Sequence, residues 1–411
     1  MKGTEPSTDM NRVAIYTLTS ELHDERAVAA VTKEFLDSIS VPHQFRGSDY
    51  SDYGTHALDL VYVRTGGTEG IFKRLLPELL SRSHRPFCLL TSGKSNSLAA
   101  SMEILSFLLQ NGLTGEIIHG SADYMARRIA LLTRVGEARL KLEGCRLGVI
   151  GEPSDWLISS GVGRTVVKDV LGIDLTDIPM KDLLRVISVT PLREVSGVAP
   201  TEAVRKSLPG AQQIYEALSV LVTQYKLQGF TLRCFDLLTA VKNTGCMALA
   251  KLNAEGIIAG CEGDVPALLS MAIGRAVTGV SGFQANPSTV NPDTGEMLFA
   301  HCTIPLNMVE RYEYDTHFES GIGVGIRGYM KEGPVTLFKV SGDLSRHFVA
   351  EGELVRSQAE PGLCRTQQVI QLSDPRAASY FLTSPIGNHH IILPGHHRDV
   401  LEAMFRQTNS L

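Results

Sequence analysis

Residues 256–274 read GIIAGCEGDVPALLSMAIG. A short apolar run, Gly256–Cys261, has the length and bulk of a buried strand. Two acids, Glu262 and Asp264, interrupt it, and an apolar helical stretch follows. Burying even one unpaired carboxylate is very costly. Two of them at the end of a hydrophobic strand therefore call for a positive partner: a metal, an Arg or Lys, or bound protons.

Upstream of this stretch, strand and helix alternate. "RVAIYTLTS" (12–20) is strand-like and "ELHDERAVAAVTKEFLDSI" has helical spacing. "ALDLVYVRTGG" predicts a second strand, "GIFKRLLPELLSRS" a helix, "RPFCLLTSG" a third strand, "SNSLAASMEILSFLLQNG" a helix and "GEIIHGS" a fourth strand. This order implies a parallel sheet with helices on both faces and binding loops at the carboxyl ends of its strands. After the helix "SADYMARRIALLTRVGEARLKL", a second α/β unit opens with "CRLGVIGEPSDWLISS", a strand and a polar loop. It closes with the long helix "TEAVRKSLPGAQQIYEALSVLVTQYKLQG". The last third is strand-rich, with "TLRCFDLL", "EMLFAHCTIP", "GVGIRGYMKEGPVTLFKVSG" and "HHIILPG" separated by Gly and Pro. The expected architecture is two tandem doubly wound α/β units, residues 1–140 and 141–230, followed by a mainly β (α+β) domain, 231–411.

The chain has 411 residues, a formal net charge of −5 and a single tryptophan. An acidic balance with few aromatics argues against nucleic acid, which demands a basic face. No apolar run reaches the roughly 20 residues of a membrane span, and "MKGTEPSTDMNR" lacks the apolar core of a signal peptide. Seven scattered cysteines include no C-x-x-C pair, which excludes a zinc ribbon and fits a reducing cytoplasm. Two glycine motifs are decoys. "GVGIRG" (323–328) matches G-x-G-x-x-G but precedes a strand, not the helix a dinucleotide site requires. "TSGKSNS" (91–97) has Cys88 where a phosphate-binding loop needs its first glycine. It reads as a strand-to-helix turn with at most an anion or sugar hydroxyl contact.

The chemistry gathers in the last third. "RCFDLL" puts Asp236 on a predicted strand, "CEGD" gives Glu262 and Asp264, "AHCTIP" gives His301, and "GNHHIILPGHH" gives His389, His390, His396 and His397. Carboxylates with imidazoles suit Mn²⁺ or a similar divalent ion better than thiolate-loving metals. Each piece also has a plainer reading. Asp236 caps a turn, Glu262 caps a helix with Asp264 as a first-turn acid, His301 is a hydrogen-bonded core residue, and the paired histidines form a polar edge. The recurrence of acids and histidines at the strand ends of one domain favours a site.

The segments "TLRCFDLL…TGCMALAKLNAEGIIAGCEGDVPALLSMAIGRAVTG", "MLFAHCTIP" and "GNHHIILPGHH" resemble the L-fucose isomerase and L-arabinose isomerase superfamily. The resemblance covers roughly residues 230–411 and is closest to short fucose-isomerase-like proteins. It implies a Mn²⁺-dependent aldose–ketose isomerase, with Co²⁺ or Mg²⁺ as alternative ions. It also implies a trimer or hexamer whose site a neighbouring subunit completes. The family's acid in the E-x-D segment falls on Asp264, with Glu262 two residues before it. Its C-terminal metal histidine falls on His389 or His390, after Asn388, and His301 resembles the further metal histidine of the arabinose branch. The family's other carboxylate is a Glu, and Asp236 stands nearest to that position.

On this resemblance Glu262 and Asp236 are the expected acid/base residues, Asp264, His389 and His301 the expected ligands, and Asn388, His390 and Trp156 the expected sugar contacts. The loop around Trp156, "PSDWLISS", is expected to cover a neighbour's site. One carboxylate ligates a cation that polarises the C1 carbonyl and O2, and another moves a proton between C2 and C1 through a cis-enediol. Two other functions remain open: an epimerase or other enediol enzyme on the same scaffold, and a sugar-binding protein without catalysis. A charged sugar would need a cationic pocket, for which Arg64, Lys94, Arg164 and Lys242 are the candidates near loops.

Overall fold

The computed structural model describes residues 12–195 and 200–406. The stretch read for a leader peptide lies outside the described residues but for its last position. The chain divides into two compact units, Met1–Leu140 with Asp399–Leu411, and Lys141–Arg398. Among the described residues no helix is long and apolar enough to cross a membrane.

In the first unit the strands and helices are β1 (Val13–Leu18), α1 (Glu25–Ile39), β2 (Gln44–Gly47), β3 (Leu58–Val63), α2 (Glu69–Arg82), β4 (Phe87–Thr91), α3 (Ser97–Gln110), β5 (Gly115–Ile118) and α4 (Ala122–Leu142). The sheet is wholly parallel in the order β2-β1-β3-β4-β5. Every residue of β1 and β4 is buried, as expected for strands covered on both faces. "ALDLVYVRTGG" is the third strand rather than the second. The intervening β2, QFRG, is too short and too polar to show a period.

The second unit begins with β6 (Arg146–Ile150), α5 (Arg164–Leu171), β7 (Asp174–Ile178), α6 (Met180–Val189), α7 (Glu202–Tyr225), β8 (Gly229–Leu232), α8 (Cys234–Val241), α9 (Cys246–Ala254), β9 (Ile258–Cys261) and α10 (Val265–Thr278). Its four strands form a parallel sheet in the order β7-β6-β8-β9. The boundary expected at residues 230/231 falls inside β8. The acid-bearing strand β9 pairs with β8 and so belongs to this sheet, not to the β-rich part. Asp236, expected on a strand, lies in the first turn of α8. β8 contributes only four buried residues before the helix starts, and a short apolar run does not reveal that change by its periodicity.

The β-rich part follows: β10 (Phe283–Val290), β11 (Glu296–His301), β12 (Val309–Asp315), β13 (Gly325–Met330), β14 (Gly333–Val340), β15 (His347–Ser357), β16 (Thr366–Leu372), α11 (Ser379–Thr383) and β17 (His390–Pro394). Six strands close into an antiparallel barrel, β10-β11-β16-β15-β14-β17, and β12 pairs with β13 beside it. The "GVGIRG" run feeds β13 and then β14, with no helix after it. The last helix, α12 (Arg398–Arg406), follows. Helix α10 links sheet and barrel. It is apolar all round, as a helix buried on every side must be. A Cβ on Gly274 would come within 2.7 Å of Leu393, so this glycine lets α10 lie close against β17.

Candidate metal centre

β9 ends at Cys261, and a β-turn, Cys261–Asp264, carries the chain into α10. The Asp264 N–H donates to the Cys261 carbonyl at 3.2 Å. The two central residues, Glu262 (φ 63°) and Gly263 (φ 69°), are both left-handed, the type I′ pattern. For glutamate this conformation costs roughly 1–2 kcal/mol. Such strain persists where the surroundings fix a side chain in one direction. Gly263 has no alternative, since a Cβ there would sit 2.6 Å from the Glu152 carbonyl oxygen. Gln284 on β10 secures the strand end, accepting from the Cys261 N–H at 2.9 Å.

The turn presents Glu262 to two barrel histidines. Its Oε1 lies 3.5 Å from His389 Nε2 and 3.7 Å from His301 Nε2. The two imidazoles meet edge to face, 5.4 Å between centroids. One donor atom from each of Glu262, His301 and His389 lies within 4.8 Å of the others. His301 ends β11 and shares a hydrogen bond with Thr303 Oγ1 through Nδ1, at 3.0 Å. His389 precedes β17 and is fully buried. Its Nδ1–H donates to Asp264 Oδ2 at 2.8 Å, while its Nε2 is buried without a hydrogen-bond partner. A carboxylate behind an imidazole whose other nitrogen points at further ligands is the usual support of a metal-binding histidine. Two histidines and one carboxylate leave positions open on an ion. The residues present therefore fit a divalent metal.

Asp264 is the N-cap of α10, with Oδ1 accepting from Ala267 N–H at 2.8 Å. Its Oδ2 faces His389 and, at 3.5 Å, the Lys339 ammonium. The helix cap is thus Asp264, not Glu262. Burial alone would raise its carboxyl, but Lys339 and His389 outweigh that and hold it down at about 2. Burial works to lower His389, yet Asp264 and Glu262 lift it to about 9. Burial would also raise Glu262; the two imidazoles reverse this and hold it well below the ordinary carboxylate range. Lys339 is 1% exposed. Burial draws its pKa down, against the pull of Asp264.

The loop after β6 forms one wall. Trp156 Nε1–H donates to Glu262 Oε2 at 2.7 Å, and Ser154 N–H donates to the Glu262 carbonyl at 3.1 Å. Phe235 packs edge-on against Trp156, at 4.9 Å, and against His317, at 5.8 Å. The expectation for this loop was a neighbour's site; here the indole reaches a carboxylate of its own chain.

Other expected residues stand apart from the triad. Asp236 is 51% exposed in its side chain and pairs with Arg233 at 2.9 Å. Arg233 also bonds Asp155 at 3.0 Å and the Pro153 carbonyl at 2.6 Å. His390 alternates to the other side of β17, as successive strand residues do. It meets Tyr380 Oη at 3.0 Å and the rings of Phe348 and Phe381, and burial pushes it down to about 3. Asn388 donates to Asn286 Oδ1 at 3.1 Å. His396 lies near Glu353, and His397 bonds the Pro394 carbonyl. Arg164 is paired with Asp177. Sequence reasoning missed Thr303, Phe235, His317 and Lys339. Only Lys339 left a signal, a lone cation inside the apolar strand GPVTLFKV. All seven cysteines are free thiols.

No family model matches the chain. It is similar to proteins named sulfoquinovose isomerase. That of Alkalicoccus urumqiensis is 24% identical over 263 residues, 60% of this chain and 59% of the relative. That of Clostridium sp. (strain MSTE9) is 26% identical over 226 residues, 51% and 48% of the two chains. That of Priestia aryabhattai is 20% identical over 264 residues. The chain thus spans between about half and three fifths of the curated relatives it matches.

Proposed function

We propose that this protein is a divalent-metal-dependent aldose–ketose isomerase of the fucose-isomerase type, acting on a sugar or modified sugar. The observation that carries the proposal is the buried, unpartnered Nε2 of His389, facing Glu262 and His301 with Asp264 behind it. The names of the relatives support the reaction class, and they make a sulfonated hexose the first substrate to try.

Glu262, His301 and His389 hold the ion in this reading, with Mn²⁺ preferred over Co²⁺ or Mg²⁺. When bound, the ion supplies Lewis acidity toward the C1 and C2 oxygens of the sugar, worth several kcal/mol. Asp264 is reassigned from ligand to support, because its oxygens are committed to Ala267, His389 and Lys339. It fixes the His389 tautomer so that Nε2 faces inward. Asp236 is the remaining acid/base candidate, and a positioned base contributes roughly 10² to 10⁴ in rate. Its pair with the guanidinium of Arg233 is half-exposed, and such pairs are worth little, so release is cheap. Trp156 and Phe235 give an apolar wall for the C–H face of a sugar, with Asn388 as the remaining sugar-contact candidate; His390, buried on the far side of β17, is not one. The active form is a closed homo-oligomer, a trimer or hexamer, working in the cytoplasm.

The test is turnover by metal-free and Mn²⁺-loaded protein on sulfoquinovose and a panel of aldoses, followed by proton NMR in D₂O. A ketose with solvent deuterium at C1, formed only with metal, is the expected product. An aldose inverted at C2 would make the protein an epimerase. Saturable sugar binding with no product would make it a sensor. Undiminished turnover after exhaustive metal removal would end the metal reading.

A further inference from the structure

Trp156 is the only tryptophan in the chain, and it is half-exposed on the loop after β6. Its indole N–H takes one oxygen of Glu262, Oε2, at 2.7 Å. The other oxygen, Oε1, is the one that faces His389 and His301. The same loop grips the backbone of this glutamate through Ser154 N–H. The loop is anchored in turn by Arg233, which holds the Pro153 carbonyl and Asp155. Side chain and main chain of one left-handed residue are therefore fixed by one segment.

We propose that Trp156 is a positioning residue of the candidate centre: its N–H occupies Oε2 and keeps Oε1 of Glu262 aimed at His389 and His301, where an ion would be held. The inference rests on the metal reading above. A carboxylate with both oxygens free swings about its last torsion and has to be ordered before it can hold an ion, which weakens binding. A hydrogen bond to an ionised carboxylate is about twice as strong as a neutral one, and here it removes that freedom. Groups that orient a metal ligand from behind typically change metal affinity by about 10- to 100-fold when removed.

A single tryptophan makes a one-atom test possible. Biosynthetic replacement of tryptophan by its benzothiophene analogue exchanges the N–H for sulfur at residue 156 alone and keeps the ring against Phe235. Trp156→Phe is the genetic counterpart. Mn²⁺ is titrated into metal-free protein by calorimetry and, in the wild type, by indole emission. The wild type should show a saturable emission change whose midpoint matches the calorimetric one. The analogue protein and Trp156→Phe should keep the wild-type circular dichroism but bind Mn²⁺ at least about tenfold more weakly. Equal affinities, or an indole blind to binding that calorimetry detects, would overturn the role of Trp156 and leave the metal site standing. A wild type that takes up no divalent ion would overturn both together. If neither substituted protein folds, Glu262→Gln in metal-free protein decides: the emission of Trp156 must shift, and an unchanged spectrum refutes the contact.

Discussion

Asp264→Asn isolates what the buried Lys339–Asp264–His389 chain contributes. Asparagine matches aspartate in shape and in N-capping ability, so the start of α10 is conserved and only the charge is lost. The ammonium and carboxylate are 3.5 Å apart, and neither side chain is more than 1% exposed. With an effective dielectric constant near 20, their attraction is about 5 kcal/mol. Removing one partner of such a buried pair commonly costs about 3–5 kcal/mol. Lys339 limits the loss by shedding its proton, a step its burial already favours. The expected destabilisation is therefore about 3 kcal/mol, or a melting temperature lower by about 6–12 °C. His389 also loses the anion that fixes its tautomer, so Mn²⁺ affinity should fall by about 10- to 100-fold. Thermal unfolding of Asp264→Asn, Lys339→Met and the double variant measures the coupling directly. Adding Lys339→Met to Asp264→Asn should recover most of the stability, since no unpaired charge is left. A melting temperature within 2 °C of wild type for Asp264→Asn, with no recovery in the double variant, would refute the reasoning.

Glu262→Gln should lower Mn²⁺ affinity well beyond tenfold and turnover by roughly 10² or more, as read by calorimetry and initial rates; intact metal binding would remove Glu262 from the ligand set. The pH dependence follows from His389, lifted to about 9 from an ordinary value near 6.5. Its contribution to the stability of the metal-free protein is complete below about pH 6.5 and is lost as pH rises through about 9. Denaturant midpoints should fall across that window in the wild type but not in His389→Gln. Gly263→Ala puts a Cβ 2.6 Å from the Glu152 carbonyl oxygen in a left-handed turn. It should cost more than about 2 kcal/mol and detach Trp156 from Glu262, visible as a changed indole emission.

Most elements of the first unit were legible because β1, β3 and β4 are mostly apolar runs of five or six residues between helices of clear period. β2 was not, since four mixed residues carry no pattern. The boundary expected at residue 230 cuts the second sheet for a related reason. β8 and β9 have four residues each, and the helices around them are apolar on most faces, so strand and helix look alike there. Nothing local in "GIIAGC" says that its partner is "GFTL" rather than a barrel strand. That pairing is a long-range fact of the sheet. His301 and His389 were legible as a pair only through their recurrence at strand ends, whereas Thr303 and His317 act through contacts that no spacing encodes.

The two acids at the end of β9 show what a sequence interval conceals. In an extended strand, residues i and i+2 share a face, so E-x-D suggests two carboxylates pointing the same way. Two successive left-handed residues break that rule. They reverse the chain so that Glu262 faces the imidazoles and the indole, while Asp264 turns under the first turn of α10. The positive partner such a strand end demands is therefore divided. Asp264 finds its partner in Lys339 and the Nδ1–H of His389, inside the protein. Glu262 has the neutral indole N–H of Trp156 on Oε2, but its other oxygen, Oε1, meets the far nitrogens of two histidines at 3.5 and 3.7 Å, too long for good hydrogen bonds. The spacing an ion would fill is thus left at Glu262 and not at Asp264, and a divalent ion there would complete the charge balance that the chain completes by itself one turn deeper.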